Sequence, residues 1–530
     1  MAVQDRFRTM RITLLFTWLC ISCTTCKRSG ETPNIVLFYA DDLGYWDLSV
    51  YGHPTQEFGP IDRMAREGTM FTQWYSPDTL CTPSRAALLT GRLPLRSGLI
   101  GGLRVHLPFV TTGLPLEETT LAESLKDLGY KTGLVGKWHL GINKDTYKDG
   151  YYLPGNHGFD YVGTYLPMSL AWDCDTSGLH MKEPRRNYCM LYKNDSIVQQ
   201  PIYLDNMTAA FVEDAKAFLY DNADSPFFLY FPLAQTHTPM FNDKRFANKS
   251  KRGPYGDQVL EMSYAVEEVL KTVKELGLDE HTLSLFIGDH GPHIDICNEG
   301  GSSGIFKGGK GTFYEGGIRV PAIARWPGTI PRGGVSSKLI SSLDIFPTLL
   351  DIAGGTLNKS IVYDGTNVKD SLLGSNDNEG TNDIPEPEED YKHHNILFFY
   401  CDDTLFAVRY KQFKVHFYTN IIPGPNHAAE NCSNEGLPND NIFLVETCSE
   451  GKKRDHPLIY NVERDPGEVY PLDPKKYEAM LAQVQEEIKT HSKTINRKVD
   501  HLLDFEYYNE SVIPCCNPPY CFCNYSKNKK

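Results

Sequence analysis

The stretch NIVLFYADDLG, residues 34–44, decides the fold. Asn34 to Tyr39 is a continuous apolar run of strand length without polar alternation, the pattern of a parallel strand covered on both faces. It runs into Asp41 and Asp42, so two carboxylates fall at the carboxyl end of the strand, the edge where open α/β sheets bind ligands. Further along, the same unit recurs. A helix from about Leu121 to Leu128, stopped by Gly129, precedes a strand over Lys131 to Val135 that delivers GKWHLG, residues 136–141. On an extended segment Lys137 and His139, two apart, point the same way. A helix near Met207 to Tyr220 precedes a strand over Pro226 to Phe231, with Gln235, Thr236 and His237 beyond it. Val259, Met262, Val266, Val269, Leu270 and Val273 then fall at helical spacing, a core stripe, before Gly277. The next strand, Thr282 to Ile287, ends in Gly288, Asp289, His290 and Gly291. Strands that each present a polar cluster at the same kind of end predict an α/β fold, a mostly parallel sheet flanked by helices, with one site along its edge.

A chain of 530 residues can build such a core and a second, smaller domain. Its 53 basic and 67 acidic residues give a net charge of -14, which argues against nucleic acid as a partner. An anionic ligand would need a local positive pocket. Residues 1–26 read as a signal peptide, because Arg6, Arg8 and Arg11 precede the apolar ITLLFTWLCIS and then small and polar residues. That run is too short to span a bilayer, and no later stretch reads as a transmembrane anchor. Sequons at Asn194, Asn206, Asn248, Asn358, Asn431, Asn509 and Asn524 fit a glycoprotein of the secretory pathway, lysosomal or secreted. Residues 374–392, acidic and rich in Pro, Gly and Asn, read as an exposed boundary between a domain over residues 27–373 and a C-terminal subdomain over 393–530. Asn395 to Tyr400, Leu405 to Tyr410 and Phe413 to Tyr418 are expected as antiparallel strands, followed by a helix from about Lys476 to Lys489 and a cysteine-rich tail.

The remaining motif is CTPSRAALLTGR, residues 81–92. Thr82 is a good N-cap and Pro83 suits a first helical turn, which places Cys81 just ahead of a helix N-terminus, where unpaired N–H groups favour anions. Arg85 would lie about one turn in. Taken alone, a buried structural cysteine is an equal reading. With GKWHLG at 136–141 and GKGTFYEGGIRVP at 309–321, however, the pattern resembles the signatures of the sulfatase family, nearest its arylsulfatase A and steroid sulfatase branch. The resemblance spans about residues 33 to 523 and includes Pro457 to Tyr460 and Asp465 to Glu468.

The resemblance implies an alkaline-phosphatase-like sandwich with a small C-terminal antiparallel sheet. It implies a hydrolase of sulfate monoesters, of arylsulfatase type, working through a covalent sulfo-enzyme intermediate. Cys81 would be oxidised to formylglycine by the formylglycine-generating enzyme during synthesis. Asp41, Asp42, Asp289 and His290 would hold one Ca2+ ion, with the modified Cys81 as a further ligand. Three carboxylates suit a hard cation, and the imidazole is the softer member. Lys137, Lys310 and Arg85 would neutralise the sulfuryl oxygens, with Lys137, His237 and Lys310 binding substrate. His237 would be the general acid, and His139 would contact the hydrated aldehyde. The loops from Val105 to Gly113 and Tyr161 to Asn194 are expected to choose the alcohol. Aryl, sugar, glycolipid and steroid sulfates, small-molecule or glycoconjugate, stay open, as does assembly into a homo-oligomer.

Of 14 cysteines, Cys20, Cys23 and Cys26 lie in or beside the leader and Cys81 is set apart, leaving an even number for disulfides in an oxidising compartment. Cys174 with Cys189 and Cys432 with Cys448 are the nearest local pairs, and Cys515, Cys516, Cys521 and Cys523 crowd the tail, although spacing does not fix connectivity. A phosphomonoesterase or phosphodiesterase on the same sheet would carry Ser or Thr as nucleophile and histidine-rich ligands for two metals; here stand Cys and a one-metal set. A non-catalytic secreted binding protein would tolerate degraded motifs, and no motif position here is degraded.

Overall fold

The structure is a computed structural model that describes residues 32–170, 174, 189–374, 394–420, 448–496 and 500–515. Strand β1, Asn34–Ala40, lies in the middle of a ten-stranded sheet, and every one of its residues is buried. Ile35, Leu37 and Tyr39 pack into one apolar cluster, and Val36, Phe38 and Ala40 into another on the opposite face. That two-sided burial is why the run carries no polar alternation.

The other strands of this sheet are β2 (Thr69–Phe71), β4 (Lys131–Lys137), β5 (Tyr161–Leu166), β6 (Leu191–Lys193), β7 (Ser196–Gln199), β8 (Phe227–Pro232), β9 (Thr282–Gly288), β10 (Ala322–Arg325) and β11 (Gly334–Ser336). β3 (Trp74–Tyr75) and β12 (Ile340–Ser341) form a separate two-stranded sheet. The large sheet runs β11-β2-β10-β9-β1-β8-β4-β5-β6-β7. Its centre, β9-β1-β8-β4-β5, is parallel, whereas β10, β6 and β7 join antiparallel. Parallel central strands force the carboxyl ends of β1, β4, β8 and β9 onto one edge, as the recurring unit predicts.

The helix Cys81–Thr90 contributes Leu88 and Leu89 to the first cluster, and the helices Met207–Asp221 and Pro254–Glu275 cover the second face. The C-terminal sheet is antiparallel, in the order β13 (Ile396–Cys401), β14 (Thr404–Tyr410), β15 (Phe413–Thr419), β16 (Lys452–Asn461). One face packs on the helix Glu478–Ser492 through Val484; the other meets the main body through Leu397, Phe399, Phe406, Tyr75, Phe313 and Ile318.

Three local expectations are corrected. The helix begins at Cys81 itself, with Leu80 as an extended N-cap, because the Thr82 hydroxyl donates to the His139 carbonyl at 2.9 Å and accepts from the His106 N–H at 3.0 Å instead of capping. β4 itself stops at Lys137, and His139 adopts a left-handed φ of 60°, so strand alternation does not set its direction. Cys174 pairs with Cys189 as expected, but Cys448 pairs with Cys401, not Cys432. Cys401 closes β13 and lies 5.5 Å from Cys448 between Cα atoms, a proximity made by the sheet that chain spacing does not report. Cys297 and Cys515 are also disulfide-bonded. The leader 1–26, the boundary residues after Gly374, Cys432, Asn431, Asn524 and the tail cysteines Cys516, Cys521 and Cys523 lie outside the described residues.

His394 enters the C-terminal sheet with Nε2 2.8 Å from both carboxylate oxygens of buried Asp344. Burial opposes a charged ring, but Asp344 prevails and raises the His394 pKa above its ordinary 6.5. A raised folded-state pKa contributes stability that is complete below the unfolded value and fades as pH rises through the folded one. His394→Gln is therefore expected to lower stability by about 1–3 kcal/mol near pH 5.5 and by distinctly less near pH 8.5. Thermal unfolding at both pH values checks this, and a pH-independent loss contradicts it.

Candidate active site

Asp41 and Asp42 leave the end of β1, and Asp289 leaves the end of β9, which is paired in register with β1 up to Ala40 and Gly288. The Asp42 N–H donates to Asp289 Oδ1 at 3.1 Å, tying the two strand ends together. Above them stands the N-terminus of the helix carrying Cys81, whose Sγ lies 3.5 Å from Asp41 Oδ1, 4.0 Å from Asp42 Oδ1 and 3.2 Å from His290 Nε2. Cys81 is 2% exposed and is the free cysteine among the described residues.

One turn into the helix, Arg85 is fully buried, with Nη2 3.2 Å from Asp41 Oδ1 and 2.8 Å from Asp289 Oδ2. Lys137, the last residue of β4, brings Nζ to 2.5 Å from Asp41 Oδ2. Lys310, from the glycine-rich loop, brings Nζ to 2.9 Å from Asp42 Oδ2 and 3.3 Å from His237 Nε2. His139 Nε2 meets the His106 carbonyl at 3.0 Å; that oxygen can only accept, so the ring carries its proton there, and buried Nδ1 keeps a lone pair with no partner.

The charges are set by competition between burial and neighbours. Burial opposes ionisation of Asp41, but Lys137 and Arg85 hold its carboxyl well below the usual range. Lys310 likewise overcomes burial at Asp42. Burial, with the Asp41 charge added, leaves Asp289 raised. Burial also pushes the Cys81 thiol well up and His237 down to about 3, so His237 is neutral near pH 7.

The structure brings every expected residue together. The donor atoms of Asp41, Cys81, Asp289 and His290 lie within 4.8 Å of one another, and those of Asp42, Cys81 and His237 do likewise. His290 Nδ1 meets the Gly291 carbonyl at 2.9 Å, an oxygen that can only accept, so the tautomer able to bind a cation has its proton on that nitrogen. Nε2 then turns its lone pair towards Asp42 Oδ1 at 3.3 Å and Asp289 Oδ1 at 3.6 Å. A lone pair facing carboxylate oxygens is the donor set of a cation site, and the Gly291 contact is the kind that orients a metal-bound histidine.

Ser169 is the site residue that the sequence did not reveal. Its Oγ lies 2.8 Å from Lys137 Nζ and 3.1 Å from His237 Nε2, bridging two clusters. It sits shortly after β5, which pairs with β4, and its position past a strand end is the single signal that could have found it. Over the site opens a cavity of about 170 Å³, with Cys81, His139, Ser169, His237 and Lys310 at its base and Leu80, Val105, Leu107, Met168 and Leu170 along its wall. Both loops expected to shape the pocket thus contribute to it.

A mixed α/β sheet with a helix that starts at a cysteine, clustered carboxylates and buried cations at one edge defines an enzyme of the alkaline-phosphatase-like class. The family model described as Sulfatase matches residues 33–355, and that of the C-terminal region of aryl-sulfatase matches residues 392–524. An arylsulfatase of Hemicentrotus pulcherrimus is 44% identical, over 93% of this chain and 87% of its own length. Human arylsulfatase A is 39% identical, over 84% of each chain. The crystal structure of the PsFucS1 sulfatase from Pseudoalteromonas sp. superposes with a TM-score of 0.73 at 26% identity, over 90% of this chain and 91% of that one. The chain belongs to the sulfatase family, in its arylsulfatase branch, and is a sulfuric ester hydrolase.

Proposed function

We propose that the chain hydrolyses sulfate monoesters of arylsulfatase type through a formylglycine made from Cys81, with a covalent sulfo-enzyme intermediate and one bound calcium ion. The observation that carries this reading is the placement of buried Cys81 at a helix N-terminus, within 4.0 Å of Asp41, Asp42 and His290. The hydrated aldehyde supplies a nucleophilic oxygen and a second hydroxyl for regeneration, and the cation supplies Lewis acidity. Asp41, Asp42, Asp289 and His290 would hold the ion, with residue 81 beside them.

The chain's own groups bind and orient the ester. Lys137 and Lys310 offer ammonium N–H groups to the sulfuryl oxygens inside a water-poor pocket, where charge is worth most. Arg85, fixed by two carboxylates, holds the positive field beneath residue 81. His237 Nδ1 meets the Thr238 carbonyl at 2.7 Å, which fixes the neutral ring's proton on that nitrogen and leaves a lone pair on Nε2, where Lys310 and Ser169 converge; to serve the leaving oxygen as general acid, Nε2 must first take up a proton. His139 presents its Nδ1 lone pair to the diol. The apolar wall of Leu80, Val105, Leu107, Met168 and Leu170 suits the flat apolar alcohol of an aryl ester.

The disulfides Cys174–Cys189 and Cys401–Cys448 support passage through the secretory pathway, to lysosome or exterior, where the formylglycine-generating enzyme would act on Cys81. Among the described residues no helix is long and apolar enough to cross a membrane.

Hydrolysis of an aryl sulfate, compared with the same aryl phosphate, tests the reading; preference for the phosphate contradicts it. A chelator is expected to abolish activity and lower the melting temperature, with both restored by calcium. Saturation at about 100 times Kd would contribute about 2.7 kcal/mol. Calorimetry on protein that retains the Cys81 thiol separates binding from turnover. No calcium heat and an unmoved melting temperature would remove the cation from the account.

A further inference from the structure

Arg104 is a buried arginine with a left-handed φ of 61°, next to the pocket residues Val105 and His106. Its Nη2 lies 3.0 Å from Asp78 Oδ1, its Nη1 lies 2.8 Å from Cys401 Sγ and 2.7 Å from Cys448 Sγ, and its Nε lies 3.7 Å from Asp402 Oδ1. Asp78 uses that same Oδ1 to accept the N–H groups of Thr79 at 2.6 Å and Leu80 at 3.2 Å. Its carbonyl accepts from the hydroxyls of Ser76 at 2.7 Å and Ser84 at 3.0 Å. Leu80 is the N-cap of the helix that starts at Cys81. Both peptide groups of the turn leading into residue 81 therefore hang from one carboxylate, which Arg104 holds against the C-terminal disulfide.

We propose that Asp78 and Arg104 form a positioning pair that fixes the Thr79–Leu80 turn, and with it the side chain at residue 81, using the Cys401–Cys448 disulfide as the rigid support. Neither residue lines the pocket, so the pair works through the turn and is not catalytic. The charge matters because hydrogen bonds to an ionised acceptor are the strong ones, and Asp78 Oδ1 takes four donors, the two N–H groups, Arg104 and the Thr79 hydroxyl at 3.5 Å. The geometry matters because a displacement of about 1 Å at a reacting group can cost on the order of 100-fold in rate. The arrangement also explains a C-terminal sheet that, among the described residues, contributes none of the groups around residue 81 yet closes a disulfide beside the turn.

The inference rests on the sulfatase reading for its kinetic arm alone, so the test has two arms. In protein made without the modifying enzyme, iodoacetamide labelling of Cys81 is followed by mass spectrometry of its peptide. Arg104→Gln and Asp78→Asn are each expected to raise the labelling rate by about 10-fold, beyond what the lower melting temperature of a broken buried pair accounts for, and the double variant should match either single. Arg104→Lys keeps the charge but loses the planar fork and should fall between. In modified protein, kcat per mole of formylglycine should drop by a similar factor with KM little changed. Wild-type labelling rates in the single variants overturn the proposal whatever the kinetics show, as do effects that simply multiply in the double variant. A labelling rate that only tracks lost thermal stability also overturns it. If Arg104→Gln does not fold, Asp78→Asn and Arg104→Lys decide. A wild-type protein that turns over no sulfate ester would sink the functional reading while leaving the labelling result in force.

Discussion

Cys81→Ser is expected to lower steady-state turnover of an aryl sulfate by about 1000-fold or more, while leaving the fold intact. The cavity around residue 81 accepts the exchange, since a hydroxyl is smaller than a thiol and the site is already built of polar partners. The loss follows from chemistry. A serine hydroxyl beside Lys137, Lys310 and Arg85 can take the sulfuryl group, but the resulting ester has no second hydroxyl whose deprotonation would expel sulfate. Release would then need water to attack sulfur inside a buried pocket. Intact mass after incubation with substrate should show one stoichiometric sulfate adduct on the variant, and catalytic turnover by it would contradict the account.

Lys137→Ala is expected to have the next largest effect. Lys137 is fully buried, and its ammonium is shared between Asp41 and Ser169. Removing it takes a cation from the proposed sulfuryl site, for an expected loss of about 100- to 1000-fold in kcat/KM. It also leaves Asp41 paired with Arg85 alone among the described residues' ion pairs, and breaking a buried pair costs about 3–5 kcal/mol. Lys137→Arg should not rescue, because a guanidinium fork does not fit a site built for a point charge at the end of β4. Lys310→Ala should weaken substrate binding and turnover with less loss of stability, because Lys310 lines the open pocket whereas Lys137 is fully enclosed. Unchanged kinetics in both alanine variants would place the sulfate site elsewhere.

The parts of this molecule legible in its sequence are those where one physical demand dominates. A strand buried on both faces must be apolar throughout, so β1, β8 and β9 announce themselves, and their polar ends mark the site edge. Motif spacing brought Cys81, Arg85, Lys137, His139 and Lys310 into the reading, and the structure gathers them. Where several demands compete, the sequence was mute or misleading. Thr82 has the chemistry of a cap, but two backbone groups from other loops outbid the helix for its hydroxyl. His139 leaves strand geometry immediately after Lys137. Ser169 is an ordinary serine until β5 is laid beside β4, and Cys401 meets Cys448 through a sheet formed by residues far apart in the chain. Asp78 and Arg104, 26 residues apart, meet the same limit.

The central claim is that a thiol at position 81 becomes a carbonyl set among carboxylates and buried cations. Mass spectrometry of the peptide containing residue 81, from protein secreted by a host that has the modifying enzyme and shown to be active, tests it most directly. The account predicts a peptide lighter by the difference between a thiol-bearing methylene and an aldehyde, reactive towards a hydrazide, in proportion to specific activity. An active preparation in which residue 81 is wholly unmodified cysteine would contradict it.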